Sequence, residues 1–437
     1  MSQAVASAPP PSPAVPRALA PDLARGMMLL LIAVANVSWY LWGHEGGAYL
    51  VHPTDGGPGD RVIAALLVVF VDGRIYPMFA FLFGYGMVQF CRSRTAAGLG
   101  ETDIRRQLRR RHWWLIAFGL LHAALLFAGD ILGLYGLLGL LIGWLLVFRR
   151  TETIQYWLVA LGGLAMSTMV VGVYAMGGLS LLEAVVDPAE TGGMQAQAFG
   201  VDWVRDSMSG IEPYGLAMLL RVAIWLVILL GQLFTFFVPF CILAGVLAAR
   251  HGLLDRPAEH TRTLRLLAGY GIAIAWLTGI PAALAYLGVI PGGDATLSML
   301  SLLAQGGGLA GGIGYAAAFG LLARRMGQAR GILSRAVTGI GKRSLSFYLL
   351  QSVLLAPLLS AWAFGLGGRL GTAVAVSIAI GVWLISLPLA FLLESRGVRG
   401  PAELVLRRLT YGRRQPARSE EHTPQSSFPR SAQPPRR

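Results

Sequence analysis

The chain is short of charge: of 437 residues only 13% are Asp, Glu, Lys or Arg, while 55% are hydrophobic. That balance excludes an ordinary soluble multidomain enzyme, and a mean hydropathy of +0.60 points to a chain that crosses a membrane repeatedly. Lysine is all but missing, since Lys342 is the sole one among 36 basic side chains. The two cysteines, Cys91 and Cys241, are too far apart in sequence to suggest a disulfide framework or a zinc site. No Walker A sequence, HExxH or GxSxG is present, so the usual signatures of soluble-enzyme chemistry are absent. The run QGGGLAGGIGYAAAFG, residues 305–320, has superficial dinucleotide-motif spacing, but no strand precedes it. Small residues that let helices approach closely explain it better.

Long apolar runs are what the chain does have. A helix needs about 20 apolar residues to cross about 30 Å of hydrocarbon, and its backbone must be hydrogen-bonded internally. The expected fold is therefore all-α, a polytopic transmembrane helical bundle. Spans are expected near 27–43, 74–91, 113–128, 131–148, 154–177, 216–249, 266–290, 297–323, 344–364 and 370–393. That makes about ten, with both termini cytoplasmic. Arg92 to Arg111 carries seven arginines against Glu101 and Asp103, and Arg149–Arg150, Arg250–Arg265 and Arg324–Arg343 fall on the same face. Positive-inside topology makes that face cytoplasmic and accounts for the formal charge of +14 without a nucleic-acid partner. The stretch 216–249 is long enough for two short helices, but counting two crossings would reverse every later loop, so one passage is expected.

Residues 1–20, rich in Pro, Ala and Ser, read as a disordered cytoplasmic tail, and 413–437 as a disordered basic tail. The membrane domain is 21–412, and 240–412 is its C-terminal segment.

Ionisable residues within spans are costly and usually face a cavity or a partner. His122 is placed at or just beyond the midplane of the third span, and Asp130 in the tight turn that follows. His122 is either a neutral imidazole bonded to a neighbouring helix or a general base, oriented in the second case by a carboxylate. Asp130 suits capping of the next helix and orienting His122 alike. Counting back from Arg92 puts Asp72 and Arg74 at the outer interface, where they either pair or bind substrate, and makes Val62–Phe70 an interfacial or re-entrant helix. Asn36 lies within the first span. His44 and His52, in a Gly-rich outer loop, read as ordinary solvated histidines. On the basic face, Arg25, Arg106, Arg110 and Arg111 answer either to topology and lipid headgroups or to the phosphates of a nucleotide-containing donor.

Five stretches in order resemble one family. PDLARGMMLLLIAVANV, GRIYPMFAFLFGYGM, RRHWWLIAFGLLHAALLFAGDILGLYGLLGLL, GKRSLSFYLLQSVL and GPAELVLRRLTYG are similar to motifs of the YeiB family of bacterial inner-membrane proteins. The second half of that family is the domain of unknown function 418. More distantly, Asp22, Arg25, Gly26 and Asn36 resemble the start of heparan-α-glucosaminide acetyltransferase-type proteins. That likeness implies a plasma-membrane acyltransferase scaffold taking acyl-CoA from the cytoplasm, with no permanently bound cofactor and no metal. Its partners would be the lipid bilayer and a small-molecule or glycan acceptor, with self-association left open. The implied roles are His122 as base, Asp130 as its orienter, Arg74, Asp72 and Asn36 around the acceptor, and Arg25, Arg106, Arg110 and Arg111 on the donor phosphates. The histidines of the first outer loop lack the KHxxWNG neighbours of the heparan type. The alternative is a transporter or permease in which the same polar residues line a substrate or proton path.

Overall fold

A computed structural model describes residues 19–47, 50–185, 200–326 and 331–411. Both expected disordered tails lie outside the described residues, apart from Leu19 and Ala20, which begin the first helix. The architecture is all-α and polytopic, with one short antiparallel hairpin, Gly46–Gly47 paired with Leu50–Pro53. Among the described residues seven helical stretches are long and apolar enough to cross a membrane: 19–40, 58–95, 151–181, 214–234, 261–286, 294–326 and 372–395. Of three shorter apolar helices, Leu132–Leu145 and Ser344–Leu359 lie in two further expected spans and Phe237–Arg250 in the second half of 216–249, while the expected span 113–128 falls in Glu101–Leu125, which is not among these apolar helices.

In chain order the helices used below are α1 (Leu19–Val37), α2 (Pro58–Phe70), α3 (Ile75–Thr95), α4 (Glu101–Leu125), α5 (Leu132–Leu145) and α6 (Thr151–Val185). They continue with α7 (Val201–Ser209), α8 (Tyr214–Phe234), α9 (Phe237–Arg250), α10 (Thr261–Tyr286), α11 (Asp294–Met326) and α12 (Ile332–Lys342). The last three are α13 (Ser344–Leu359), α14 (Thr372–Ser395) and α15 (Pro401–Tyr411).

The basic loops converge on one end of the bundle. Arg250 donates to the carbonyls of Val147 (2.9 Å) and Arg149 (2.6 Å), Arg92 pairs with Asp255 (3.4 Å), and Arg94 lies 4.6 Å from the Tyr411 ring centroid. The intervening loops meet at the far end. There Trp42 Nε1 donates to Leu359 O (3.1 Å), Ala361 N to Ser209 O (2.8 Å), Tyr286 Oη to Pro53 O (2.5 Å) and Tyr214 Oη to Leu125 O (2.9 Å). Arg205 of α7, fully buried, pairs with Asp202 (3.1 Å) and donates to the carbonyls of Val51 (3.3 Å) and His44. It thereby pins the hairpin loop over the bundle.

The stretch expected as one continuous span at 216–249 is two helices. Pro239 has no N–H to donate to Thr235 and its ring would clash with that carbonyl in a continuous helix, so the chain breaks just before it. The break falls on Phe236, held at φ 60°. The two helices still make a single passage, because α8 starts beside Leu125 at the far end and α9 ends among the arginine-bonded carbonyls.

The glycine run belongs to α11, where it permits close packing. A Cβ on Gly308 would lie 2.2 Å from the Gly73 carbonyl oxygen, and one on Gly312 would lie 2.7 Å from the Arg74 carbonyl oxygen. Gly73 itself has φ 72°, and it ends the α2 segment so that α3 can start at a new angle. Small side chains on α11 thus seat the Asp72–Arg74 turn in the bundle.

Candidate functional site

Two cavities lie in series along α1 and α3. The smaller, of about 410 Å³, is at the far end and is lined by Asn36, Trp39, Asp72, Arg74, Tyr76 and Gln305, among others. The larger, of about 890 Å³, lies toward the arginine-rich end. Its cations are Arg25, Arg92, Arg111, Arg256 and Lys342, and its wall is apolar, with Leu82, Phe83, Met87 and Leu115. Arg25 and Asn36 are eleven residues apart on α1, about 16 Å at 1.5 Å per residue, so one helix serves both cavities. Phe79 borders both. It stacks on Tyr135 at 4.9 Å, Tyr135 stacks on Phe83 at 5.1 Å, and the Tyr135 hydroxyl donates to Tyr76 O at 3.1 Å. This aromatic layer is the partition between the two spaces.

In the smaller cavity Arg74 is 1% exposed, and its terminal nitrogens donate to the carbonyls of Asp72 and Ala275. Its Nε makes no hydrogen bond. Asp72 and Arg74 do not form a carboxylate–guanidinium pair, because the Asp72 carboxylate is taken by His52, whose Nε2 lies 2.5 Å from Oδ2. The other ring nitrogen of His52 is 3.1 Å from Ser38 Oγ. His52 was expected to be solvated and is instead fully buried, held under the loop that Arg205 and Tyr286 fasten. His44, also expected to be solvated, is half-buried, with Nδ1 3.1 Å from Asp55 and Nε2 buried without a hydrogen bond.

His122 and Asp130 meet. α4 runs to Leu125 and α5 starts at Leu132, so the turn brings Asp130 back beside the last turn of α4. His122 Nδ1 lies 2.8 Å from Asp130 Oδ1, and Asp130 Oδ2 accepts the Gly133 N–H at 2.8 Å, so Asp130 both caps α5 and holds the imidazole. The third partner lies in the motif-like stretch GKRSLSFYLLQSVL but was not singled out there: Ser352 of α13, whose Oγ is 2.8 Å from His122 Nε2. All three are buried, at 3%, 4% and 8% exposure. Neither His122 nor Asp130 lines either cavity. Their neighbours do: Tyr348, whose ring is 5.1 Å from that of His122, and Leu132 border the larger cavity, and Ile131 borders the smaller.

On the basic face Arg25 and Arg111 line the larger cavity, whereas Arg106 and Arg110 are exposed and line neither. Arg25 pairs with Asp22 (3.6 Å) and donates to Leu82 O (3.2 Å). Arg111 lies 5.5 Å from the Phe90 ring centroid, and its Nε makes no hydrogen bond. Lys342 and Arg343 share Glu394. Two acids, Asp255 and Glu403, also border this cavity, and both are occupied: Asp255 by Gln89 and Arg92, Glu403 by the Leu345 and Ser346 N–H groups. Among the described residues no group of three His, Cys, Asp or Glu side chains could hold a metal ion.

Apolar helices that alternate between a basic and an acidic end define a multi-pass membrane protein. Its C-terminal part, residues 248–413, matches the family described as "Protein of unknown function (DUF418)". The chain is also 26% identical over 374 residues to the "Uncharacterized protein YxaH" of Bacillus subtilis (strain 168), covering 80% of this chain and 83% of that protein. With these matches and its motifs the chain is similar to the DUF418, YeiB-type proteins.

Proposed function

We propose that this protein is an acyltransferase of the bacterial plasma membrane, which moves an acyl group from cytoplasmic acyl-CoA to a hydroxyl or amine of an envelope or exported metabolite. One observation carries the reading: two cavities of different character lie end to end and meet at Phe79. A cation-rimmed, apolar-walled space of about 890 Å³ suits a donor with phosphates at one end and an acyl chain at the other. The smaller space offers Asn36, Asp72, Arg74 and Gln305 as hydrogen-bonding groups for a polar acceptor beside the Trp39 and Tyr76 rings. Arg25, Arg92, Arg111 and Lys342 hold the donor phosphates, while Arg106 and Arg110, outside the mouth, attract an anionic ligand at longer range. His122, fixed by Asp130, is the base beside the partition.

Isothermal titration of the purified protein with acetyl-CoA and longer acyl-CoAs tests this. Saturable binding is expected, weakened about tenfold in Arg111→Ala, since a hydrogen bond to a charged group contributes about 1.5–3 kcal/mol. Binding that tracks anionic phospholipid and ignores CoA would assign the cavity to a lipid. No saturable heat from a folded, monodisperse sample would overturn the reading and leave passage of a small molecule through the two cavities as the better one.

A further inference from the structure

Resting on the acyl-transfer reading, and going beyond it, we infer that Ser352 is a nucleophile, acylated as a covalent intermediate between donor and acceptor. The geometry is a relay of three side chains, from the α4–α5 turn through α4 to α13. Asp130 Oδ1 holds His122 Nδ1 at 2.8 Å, and His122 Nε2 meets Ser352 Oγ at 2.8 Å. A carboxylate only accepts, so the Nδ1 proton points at Asp130 and the Nε2 lone pair faces the serine hydroxyl, which donates to it. Asp130 cannot turn away, because its second oxygen is fastened to the Gly133 N–H. This is the arrangement that activates a hydroxyl whose free form is a weak nucleophile: a base within hydrogen-bonding reach, itself oriented by a third group.

A structural clip between helices would need only the His122–Ser352 bond. Two further features point to chemistry. The first is position: Tyr348, one helical turn before Ser352 on α13, borders the larger cavity and packs on the His122 ring at 5.1 Å. Ser352 itself lines neither cavity, so the thioester carbonyl reaches Oγ from the larger one past the Tyr348 side chain. The second is a buried polar group beside the relay: the Tyr348 hydroxyl, which stands next to the Ile131 backbone in the turn that carries Asp130.

The step balances as two transfers. Ser352 Oγ attacks the thioester carbonyl, the O–C bond forms and the C–S bond breaks. The hydroxyl proton passes to His122 Nε2 and then to the departing thiolate, releasing the free thiol. The acceptor hydroxyl or amine then attacks the seryl ester, its proton passes through His122 to Ser352 Oγ, and the enzyme returns to its starting state. No oxidant or metal is needed. The partition explains why an intermediate is useful: the acyl group waits on α13 while the donor lies on one side of Phe79 and the acceptor on the other.

The test omits any acceptor. Wild-type protein is mixed with acetyl-CoA, quenched in acid within seconds, and read by intact mass, peptide mapping and free-thiol release. The result expected is a mass increase of one acetyl group mapping to Ser352, with about one equivalent of thiol released in a burst. Ser352→Ala should lose the adduct while still binding acetyl-CoA by titration. Ser352→Cys, close in size and safer for folding, should carry the acyl group as a longer-lived thioester. Binding without an adduct on residue 352 in wild type and Ser352→Cys would overturn the covalent step and leave the donor site standing, as would an adduct mapped elsewhere. Failure to bind acetyl-CoA at all would overturn both.

Discussion

Replacing Asp130 with Asn is the sharpest perturbation of the relay, because it changes neither size nor shape. Both carboxylate oxygens accept at 2.8 Å, one from His122 Nδ1 and one from the Gly133 N–H. An amide has one acceptor and one donor. If its oxygen keeps Gly133, its NH₂ faces His122 Nδ1, which must then accept, so the ring proton moves to Nε2 and points at Ser352. If the amide turns the other way, its NH₂ opposes a buried backbone N–H. In the first case one charge-assisted bond is replaced by a neutral one, at a cost of about 1–2 kcal/mol; in the second an unsatisfied buried donor adds about 1–3 kcal/mol. The chain relaxes toward the first, and the Ser352 hydroxyl loses its proton acceptor while the fold survives. Thermal unfolding in detergent should show the modest loss, ¹⁵N NMR of labelled histidine should show a change of tautomer at His122, and acylation of Ser352 should fall by at least about two orders of magnitude, the scale of general-base assistance. A variant with an unchanged tautomer and wild-type acylation would refute this account of the relay.

Other outcomes follow from the same contacts. Gly308→Ala puts a Cβ 2.2 Å from the Gly73 carbonyl oxygen, so α11 must shift from the α2–α3 turn; overpacking of this kind costs about 1–3 kcal/mol, readable as a lowered unfolding midpoint. Gly163→Ala on α6, with nothing within 4 Å, should leave that midpoint unchanged and serves as the control. Arg205→Met removes the fastening of the hairpin loop, costs about 1–3 kcal/mol from lost charged hydrogen bonds, and should speed protease cleavage in the 44–54 segment without changing acyl-CoA affinity.

Much of this was legible in the sequence, for identifiable reasons. Span positions follow from hydropathy and from arginine in alternate loops, both local properties, and most of each expected span is helical, although 216–249 is broken at Phe236 and 27–43, 266–290 and 344–364 run past the helix ends. The His122–Asp130 pair was legible because eight residues and a tight turn leave the two side chains little choice of neighbour. Ser352 was marked only by the motif GKRSLSFYLLQSVL, and its meeting with His122 was hidden, since it lies 230 residues away in an apolar helix and nothing local ties α13 to α4. The burial of His52 was hidden for the same reason: Arg205, which pins its loop, lies 154 residues beyond Val51 of that loop. The Phe236 break did leave a signal, Pro239, outweighed by the continuous apolar run around it. Asn36, Asp72 and Arg74 share one cavity because α1 and α3 run side by side, a packing fact no single-chain pattern encodes.

The most direct measurement of the central claim is photocrosslinking with an acyl-CoA that carries a diazirine on its acyl chain, followed by peptide mapping. The account predicts labels on the apolar wall of the larger cavity, at Phe83, Leu115 and Tyr348, removed by excess unmodified acyl-CoA and weakened in Arg111→Ala. Labels confined to outward-facing side chains such as Trp157 and Leu277, and indifferent to competitor, would contradict it.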